Sequence, residues 1–193
     1  MKYRTLVLFG APGSGKGTQG KVIGAIPNFF HFSSGDAFRA LDPNSELGKT
    51  FKEYSTKGLL VPDELTIRLC VDHLNKVAQS GKFNVQTDTL VLDGIPRSLA
   101  QAKALADTVE VKAVLNLACS SYEDLVQRMK KRAIKEGRKD DADEKIIRER
   151  FATYDRQTMP LLDFYGPSLV KTINALQSPI KVLQDTLAVI TSL

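Results

Sequence analysis

Short apolar runs punctuate this chain at intervals that leave room for a helix between them. Thr5, Leu6, Val7, Leu8 and Phe9 form the first, rich in strand-favouring types and ended by Gly10. Phe29 to Phe32, Thr89 to Leu92, Ala113 to Leu117 and Leu169 to Ile173 repeat it. None alternates strictly between apolar and polar positions, as expected of strands covered on both faces. Between the runs the spacing turns helical. Glu64 to Gln79 places Leu65, Arg68, Leu69, Asp72 and Lys76 three and four residues apart, and Leu99 to Ala106 and Tyr122 to Ile134 also favour helix. Strands alternating with helices predict an α/β fold in three layers, a five-stranded parallel sheet between helices, with ligands at the carboxyl ends of the strands.

Two stretches break the alternation. Ser34 to Asp63 is polar and helical, with Asp42-Pro43-Asn44-Ser45 starting a helix that Gly58 stops. This predicts an inserted helical flap. Lys135 to Asp141 is short and charged, between a helix closed by Gly137 and another opened at Asp141 to Asp143. This predicts a small lid. There is no internal repeat and no low-complexity segment.

Composition narrows the class. The chain has 193 residues, 42% hydrophobic and 25% charged, which suits one domain and excludes disorder, collagen and a disulfide-stapled miniprotein. No apolar run approaches the ~20 residues that cross a bilayer. The N-terminal run meets Gly10 and Pro12 without the longer apolar core of a secretory signal, so a cytoplasmic protein is expected. Cys70 and Cys119 stand far apart and predict buried small side chains rather than a disulfide or zinc site. His31 and His73 answer no catalytic need. The net charge is +5, and Arg128 to Arg150 alone carries ten Lys or Arg against six Asp or Glu, leaving +1 for the remainder. One concentrated basic cluster suits a small polyphosphate better than a duplex face, so neither nucleic acid nor membrane is expected as a partner.

The candidate chemistry starts at GAPGSGKGT, Gly10 to Thr18, directly after the first strand and before a stretch that starts a helix. Backbone amides wrap a phosphate only where side chains leave them open, and Gly10, Gly13, Gly15 and Gly17 let the loop curl closely. The helix then directs its positive end at the same anion. Lys16 adds a cation for the outer phosphates, and Thr18 a hydroxyl near the metal-bearing phosphate. Ser14 lies within the same loop. Gly17 stands where the strict phosphate-loop pattern has Ser or Thr directly after the lysine.

Further motifs follow in order: Ser33-Ser34-Gly35-Asp36 with Arg39, Val61-Pro62-Asp63-Glu64, Asp93-Gly94-Ile95-Pro96-Arg97, Gly137-Arg138-Lys139-Asp140-Asp141, and Arg150. With GAPGSGKGT, this set resembles the nucleoside monophosphate kinases over nearly the whole chain, most closely adenylate kinases of the short-lid type. In that family Gly-Thr follows the lysine. The resemblance implies a single phosphate-loop domain, residues 1–193, with a core of 1–33, 64–131 and 142–193, a monophosphate-binding insertion at 34–63 and a lid at 132–141. It implies reversible phosphoryl transfer from MgATP to AMP, direct and in line, by a monomer.

By the same resemblance, Gly13 to Thr18, Arg128 and Ala175 bind ATP. Ser34, Arg39, Gly58, Leu60, Val61, Gly94, Arg97, Gln101, Arg138 and Arg150 bind AMP. Lys16, Arg97, Arg132, Arg138 and Arg150 are the catalytic cations, which agrees with a reaction that needs alignment and charge neutralisation rather than a nucleophile. Asp93, at the end of a strand beside the loop, is placed to hold magnesium through water. Asp140 and Asp141 resemble the family's lid pair, with helix capping or plain solvation as the competing expectation. Lys130, Lys131, Lys135 and Lys139 are expected to be ordinary surface charges. Ser34 keeps a hydroxyl where the pyrimidine enzymes are apolar, and Gln101 aligns with a family glutamine at the adenine edge. AMP is therefore expected over UMP or CMP, with a pyrimidine monophosphate kinase and a non-catalytic nucleotide-binding protein as alternatives. Departures are Ile95 for phenylalanine, Ala142 for asparagine, Phe151 for leucine, and Asn174-Ala175 for Asp-Gly, the last bearing on the donor base. The lid lacks the long insertion and its zinc-binding cysteines.

Overall fold

The computed structural model describes residues 2–193, the side chain of Lys139 excepted. Its five strands are β1 (Tyr3–Phe9), β2 (Phe29–Ser33), β3 (Thr89–Asp93), β4 (Val109–Ala118) and β5 (Val170–Asn174), all parallel, in the order β2-β3-β1-β4-β5. Side chains alternate across the sheet. Leu6, Leu8, Val91 and Leu115 enter one core with Ile23 of α1 (Lys16–Ile23) and Val182 of α9 (Pro179–Thr191). Val7, Phe9 and Val114 face the other way, towards Ala102 of α5 (Leu99–Leu105) and Leu161 of α8 (Pro160–Leu169). Leu90 and Leu92 share that face and pack on Cys70 and Leu74 of α4 (Asp63–Gln79). The apolar runs lack alternation because both faces of the sheet are covered.

After β1 the chain moves outward to β2, and after β3 it crosses to β4 on the far side of β1. The carboxyl ends of β1 and β3, paired through Leu8 and Asp93, therefore form the point where the winding reverses. Such a crevice is where open α/β sheets bind ligands.

The elements shift modestly from their sequence expectations. β4 begins at Val109 rather than Ala113, because Tyr3 pairs with Val109 and the exposed Glu110 and Lys112 bond each other. β5 begins at Val170, since Leu169 ends α8, where Gly166 (φ 72°) introduces a kink. In α4 the buried positions are Thr66, Cys70 and Leu74, while Leu65 and Leu69 are half-buried. Thr66 can be buried because its hydroxyl donates back to the Pro62 carbonyl at 3.1 Å.

Between β2 and α4 lie α2 (Ser34–Arg39) and α3 (Glu46–Ser55), capped by the hydroxyls of Ser33 and Ser45. α6 (Tyr122–Glu136) stops at Gly137 in the left-handed region (φ 64°). A single 3-10 turn, Lys139–Asp141, leads to α7 (Glu144–Thr153), which Asp143 caps. A π-helical turn, Tyr154–Thr158, joins α7 to α8.

Candidate active site

The loop after β1 closes on itself because Gly10 approaches the next strand. Its φ is 135°, and a Cβ there would lie 2.5 Å from the Leu117 carbonyl oxygen. Gly15 precedes α1 in the left-handed region and offers no capping side chain, so the first N–H groups of the helix stay open to an anion. Ser14 Oγ is buried in the same loop without a partner among the described residues. Lys16 Nζ donates to the carbonyls of Gly10 and Ala11, the latter at 3.0 Å. Burial lowers Lys16 to about 8, with Asp93 opposing and Arg97, Arg132 and Arg150 adding to the fall.

Across the crevice, β3 delivers Asp93 and then the Gly94 turn. The Gly94 carbonyl accepts from Arg97 Nε at 2.7 Å and from Ser34 Oγ at 2.7 Å. Arg97 is pushed down to about 10, first by burial and then by the Arg150 charge. Thr158 Oγ1 donates to the Arg97 carbonyl at 2.8 Å, fixing the turn from the far side. Arg39 at the end of α2 is bonded to Asp36.

The remaining arginines arrive on α6, in the short link after it and on α7, and two aspartates gather them. Asp141, fully buried, accepts from Arg132 Nε at 2.6 Å, lies 3.3 Å from Arg138 Nε, and bonds Arg150. Asp140 accepts from Arg138 at 2.8 Å and from Arg150 at 3.1 Å. Burial works to raise the Asp140 carboxyl, but the Arg138 bond and the Arg150 charge outweigh it and bring it down to about 2. Neither aspartate caps a helix or stands in solvent. Sequence reasoning missed this because Arg132 and Arg150 reach the aspartates from two different helices, α6 and α7.

At the other end, Arg128 Nη1 donates to the Ala175 carbonyl at 2.8 Å, and Ala175 is buried. Gln19 Nε2 donates to the Pro179 carbonyl at 3.0 Å, tying α1 to the start of α9.

One cavity of about 1030 Å³ runs through all of this, at the upper limit of the ~300–1,000 Å³ usual for a single small ligand. Every residue that the sequence singled out for ATP, AMP, metal or catalysis lines it, from Gly13 and Thr18 through Ser34, Gly58, Leu60 and Val61 to Gln101 and Ala175. The segment between α3 and α4 closes against α7: a Cβ on Gly58 would meet the Ile146 carbonyl oxygen at 2.9 Å. Lys131 and Lys135 are exposed, as expected of surface charges, and also border the cavity, while Lys130 pairs with Glu144 at 2.6 Å. Phe38, Gln177, Pro179 and Val182 also line the cavity and carried no local signal in the sequence.

Asp93 is a carboxylate that could hold a magnesium ion. It is nearly buried, and its Oδ2 lies 3.6 Å from the position of a Cβ on Gly17. Among the described residues no three His, Cys, Asp or Glu cluster as a protein-only metal cage. A lone carboxylate fits an ion that keeps its waters and shares phosphate oxygens. His31 lies 3.7 Å from Asp93, its Nε2 without a hydrogen bond among the described residues, and Gly20 leaves the room it occupies, since a Cβ there would be 2.3 Å from that nitrogen. Nothing in the sequence pointed to this neighbourhood.

Comparison with known proteins gives a consistent answer. A family profile described as Adenylate kinase matches residues 8–169. An adenylate kinase of Flavobacterium psychrophilum is 42% identical over 167 residues, covering 83% of each chain. One of Leptospira biflexa is 39% identical over 182 residues, covering 91% of this chain and 93% of its own. One of a Cyanothece species is 44% identical over 166 residues, covering 83% and 80%.

Proposed function

This chain belongs to the adenylate kinase family and is a nucleoside monophosphate kinase, a phosphotransferase, and we propose how its cavity divides the work. The reaction is the reversible transfer of a phosphoryl group from ATP to AMP, giving two ADP. ATP lies with its phosphates on Gly13 to Thr18 and its base between Arg128 and Ala175. AMP lies in the other half, its phosphate on Arg39, Arg97, Arg138 and Arg150, and its base among Ser34, Gly58, Leu60, Val61, Gly94 and Gln101. Lys16, Arg97, Arg132, Arg138 and Arg150 neutralise the charge on the group in flight. Transfer is direct and in line, and the protein's part is positioning and electrostatics.

The observation that carries this reading is that Lys16 and Arg97 are cations deep in the cavity whose side chains, among the described residues, bond only backbone carbonyls. Both have lowered proton affinity. Such a pair calls for an anion, and the phosphates of two nucleotides supply it.

Asp93 would hold magnesium, which when bound shields the phosphate charge. Thr18 lies on the same side of the cavity. We assign residues 34–63 as the acceptor-binding insertion and 132–141 as the lid of a single domain. Closure of both excludes water, which would otherwise hydrolyse ATP. Both segments come from the same chain, which supports a monomer. Two free cysteines suit a reducing, cytoplasmic setting. Among the described residues no helix is long and apolar enough to cross a membrane.

ADP formation from MgATP, with AMP, UMP, CMP and GMP offered separately and a no-acceptor control, tests the assignment. AMP is expected to dominate. Dominance of a pyrimidine would reassign the acceptor, and nucleotide binding without turnover would remove the catalytic reading.

A further inference from the structure

Gln101 is almost wholly buried, and both ends of its amide are engaged on the protein side. Its Nε2 donates to Asp63 Oδ1 at 2.7 Å, and its Oε1 accepts from the Arg97 backbone N–H at 2.7 Å. Neither contact survives a flip of the amide. A carboxylate only accepts and a peptide N–H only donates, so the reversed amide would set oxygen against oxygen and N–H against N–H. Asp63 is itself fixed. Its other oxygen, Oδ2, accepts from Ser98 Oγ at 2.9 Å, and that hydroxyl in turn accepts from the Gln101 backbone N–H at 3.1 Å as the cap of α5.

An amide has two N–H groups and two oxygen lone pairs. Asp63 and Arg97 use one of each, and among the described residues nothing else bonds the amide. One donor and one acceptor remain for the cavity that Gln101 lines. Side by side, they match a base edge that offers an acceptor and a donor in the opposite order, such as the ring nitrogen and amino group of adenine. A 6-oxopurine presents the reverse pair. A free glutamine would serve both by flipping.

We infer that Asp63 is a specificity-determining positioning residue: with Ser98 it locks the Gln101 amide in the orientation that accepts a 6-aminopurine monophosphate and rejects a 6-oxopurine one. This rests on the reading that Gln101 meets the acceptor base. Asp63 stands in the first turn of α4, where a negative charge also favours the helix. That purely structural role would affect every acceptor alike.

The test compares AMP with IMP, which differ only on the edge in question, in the wild type and in Asp63→Asn, Asp63→Ala, Ser98→Ala and Gln101→Glu. Binding of each monophosphate and kcat/KM with saturating MgATP are measured, and melting checks the fold. Asparagine at 63 can present oxygen or nitrogen, and alanine presents neither. Both variants are expected to lower the AMP-to-IMP ratio of kcat/KM about tenfold or more, chiefly through a raised KM for AMP, with kcat within about threefold. Ser98→Ala should move the ratio the same way by less. An unchanged ratio in both folded Asp63 variants, with Gln101→Glu altering it, overturns the lock and leaves the base reading standing. An unchanged ratio in all four overturns the base reading and the lock with it. Should the Asp63 variants melt below assay temperature, Ser98→Ala decides, and an unchanged ratio there refutes the lock.

Discussion

Replacing Asp141 by asparagine removes one negative charge from beneath three arginines and leaves the shape almost intact. The carboxylate has no exposed surface, while the side chains of Arg132, Arg138 and Arg150 keep 29%, 11% and 18%. Breaking a buried ion pair from one side typically costs ~3–5 kcal/mol. Asp140 still serves Arg138 and Arg150, and asparagine still accepts one hydrogen bond, so the lower end, about 3 kcal/mol, is expected. At ~2–4 °C per kcal/mol for a domain of this size, Tm should fall by about 6–12 °C. The loss should also depend on ligand. A dinucleotide polyphosphate spanning both halves returns negative charge to the arginines, and stabilises in proportion to its affinity. Scanning calorimetry with and without it should show the gap between variant and wild type narrowing by at least half. A Tm within 2 °C of wild type, or a gap that the ligand leaves unchanged, would refute the view that Asp141 is an internal counter-ion standing in for substrate charge.

Other consequences are as direct. Lys16→Met and Arg97→Ala should each lose at least about a hundredfold in kcat, the usual cost of one transition-state electrostatic contact, and near-normal rates in folded protein would sink the assignment. Gly94→Ala places a Cβ 2.7 Å from Ser34 Oγ and 2.8 Å from Arg97 Nη2 at a φ of 78°; KM for AMP should rise at least tenfold and that for ATP little, and an equal rise in both would contradict the division of the cavity. Lys16 in the free protein titrates near 8, below its unfolded value of 10.5. The cost of holding it charged is therefore present below pH 8 and relieved as pH rises towards 10.5. Since bound phosphate restores its charge, ATP binding should take up protons at pH 8.5 and none at pH 6.5, measured by calorimetry in buffers of different ionisation heat; no uptake at pH 8.5, or uptake that persists in Lys16→Met, would argue against it.

Local grammar made much of this legible. β1, the glycine loop and the helix after it are contiguous in the chain, and Gly137 and Asp143 mark helix ends by their own backbone and side-chain chemistry. What stayed hidden depends on partners distant in sequence. Asp140 and Asp141 look like solvated charges until α6 and α7 bring Arg132 and Arg150 to them beside the neighbouring Arg138. Gln101 could be matched to the base by resemblance, but its tie to Asp63 spans 38 positions. His31 reads as an isolated histidine until β2 and β3 pair, setting it beside Asp93. The buried face of α4 is not legible from hydrophobic periodicity, because Thr66 is buried through a backbone hydrogen bond.

The central claim is that two nucleotides share one water-excluding cavity and exchange a phosphoryl group directly. Its most direct test follows the label from γ-³²P ATP during single turnover with saturating AMP. The account predicts that the label appears in the β position of ADP, one for each AMP consumed, with inorganic phosphate at background and no labelled protein. Substantial label in inorganic phosphate, or a phosphorylated enzyme that forms and decays at the rate of turnover, would contradict it.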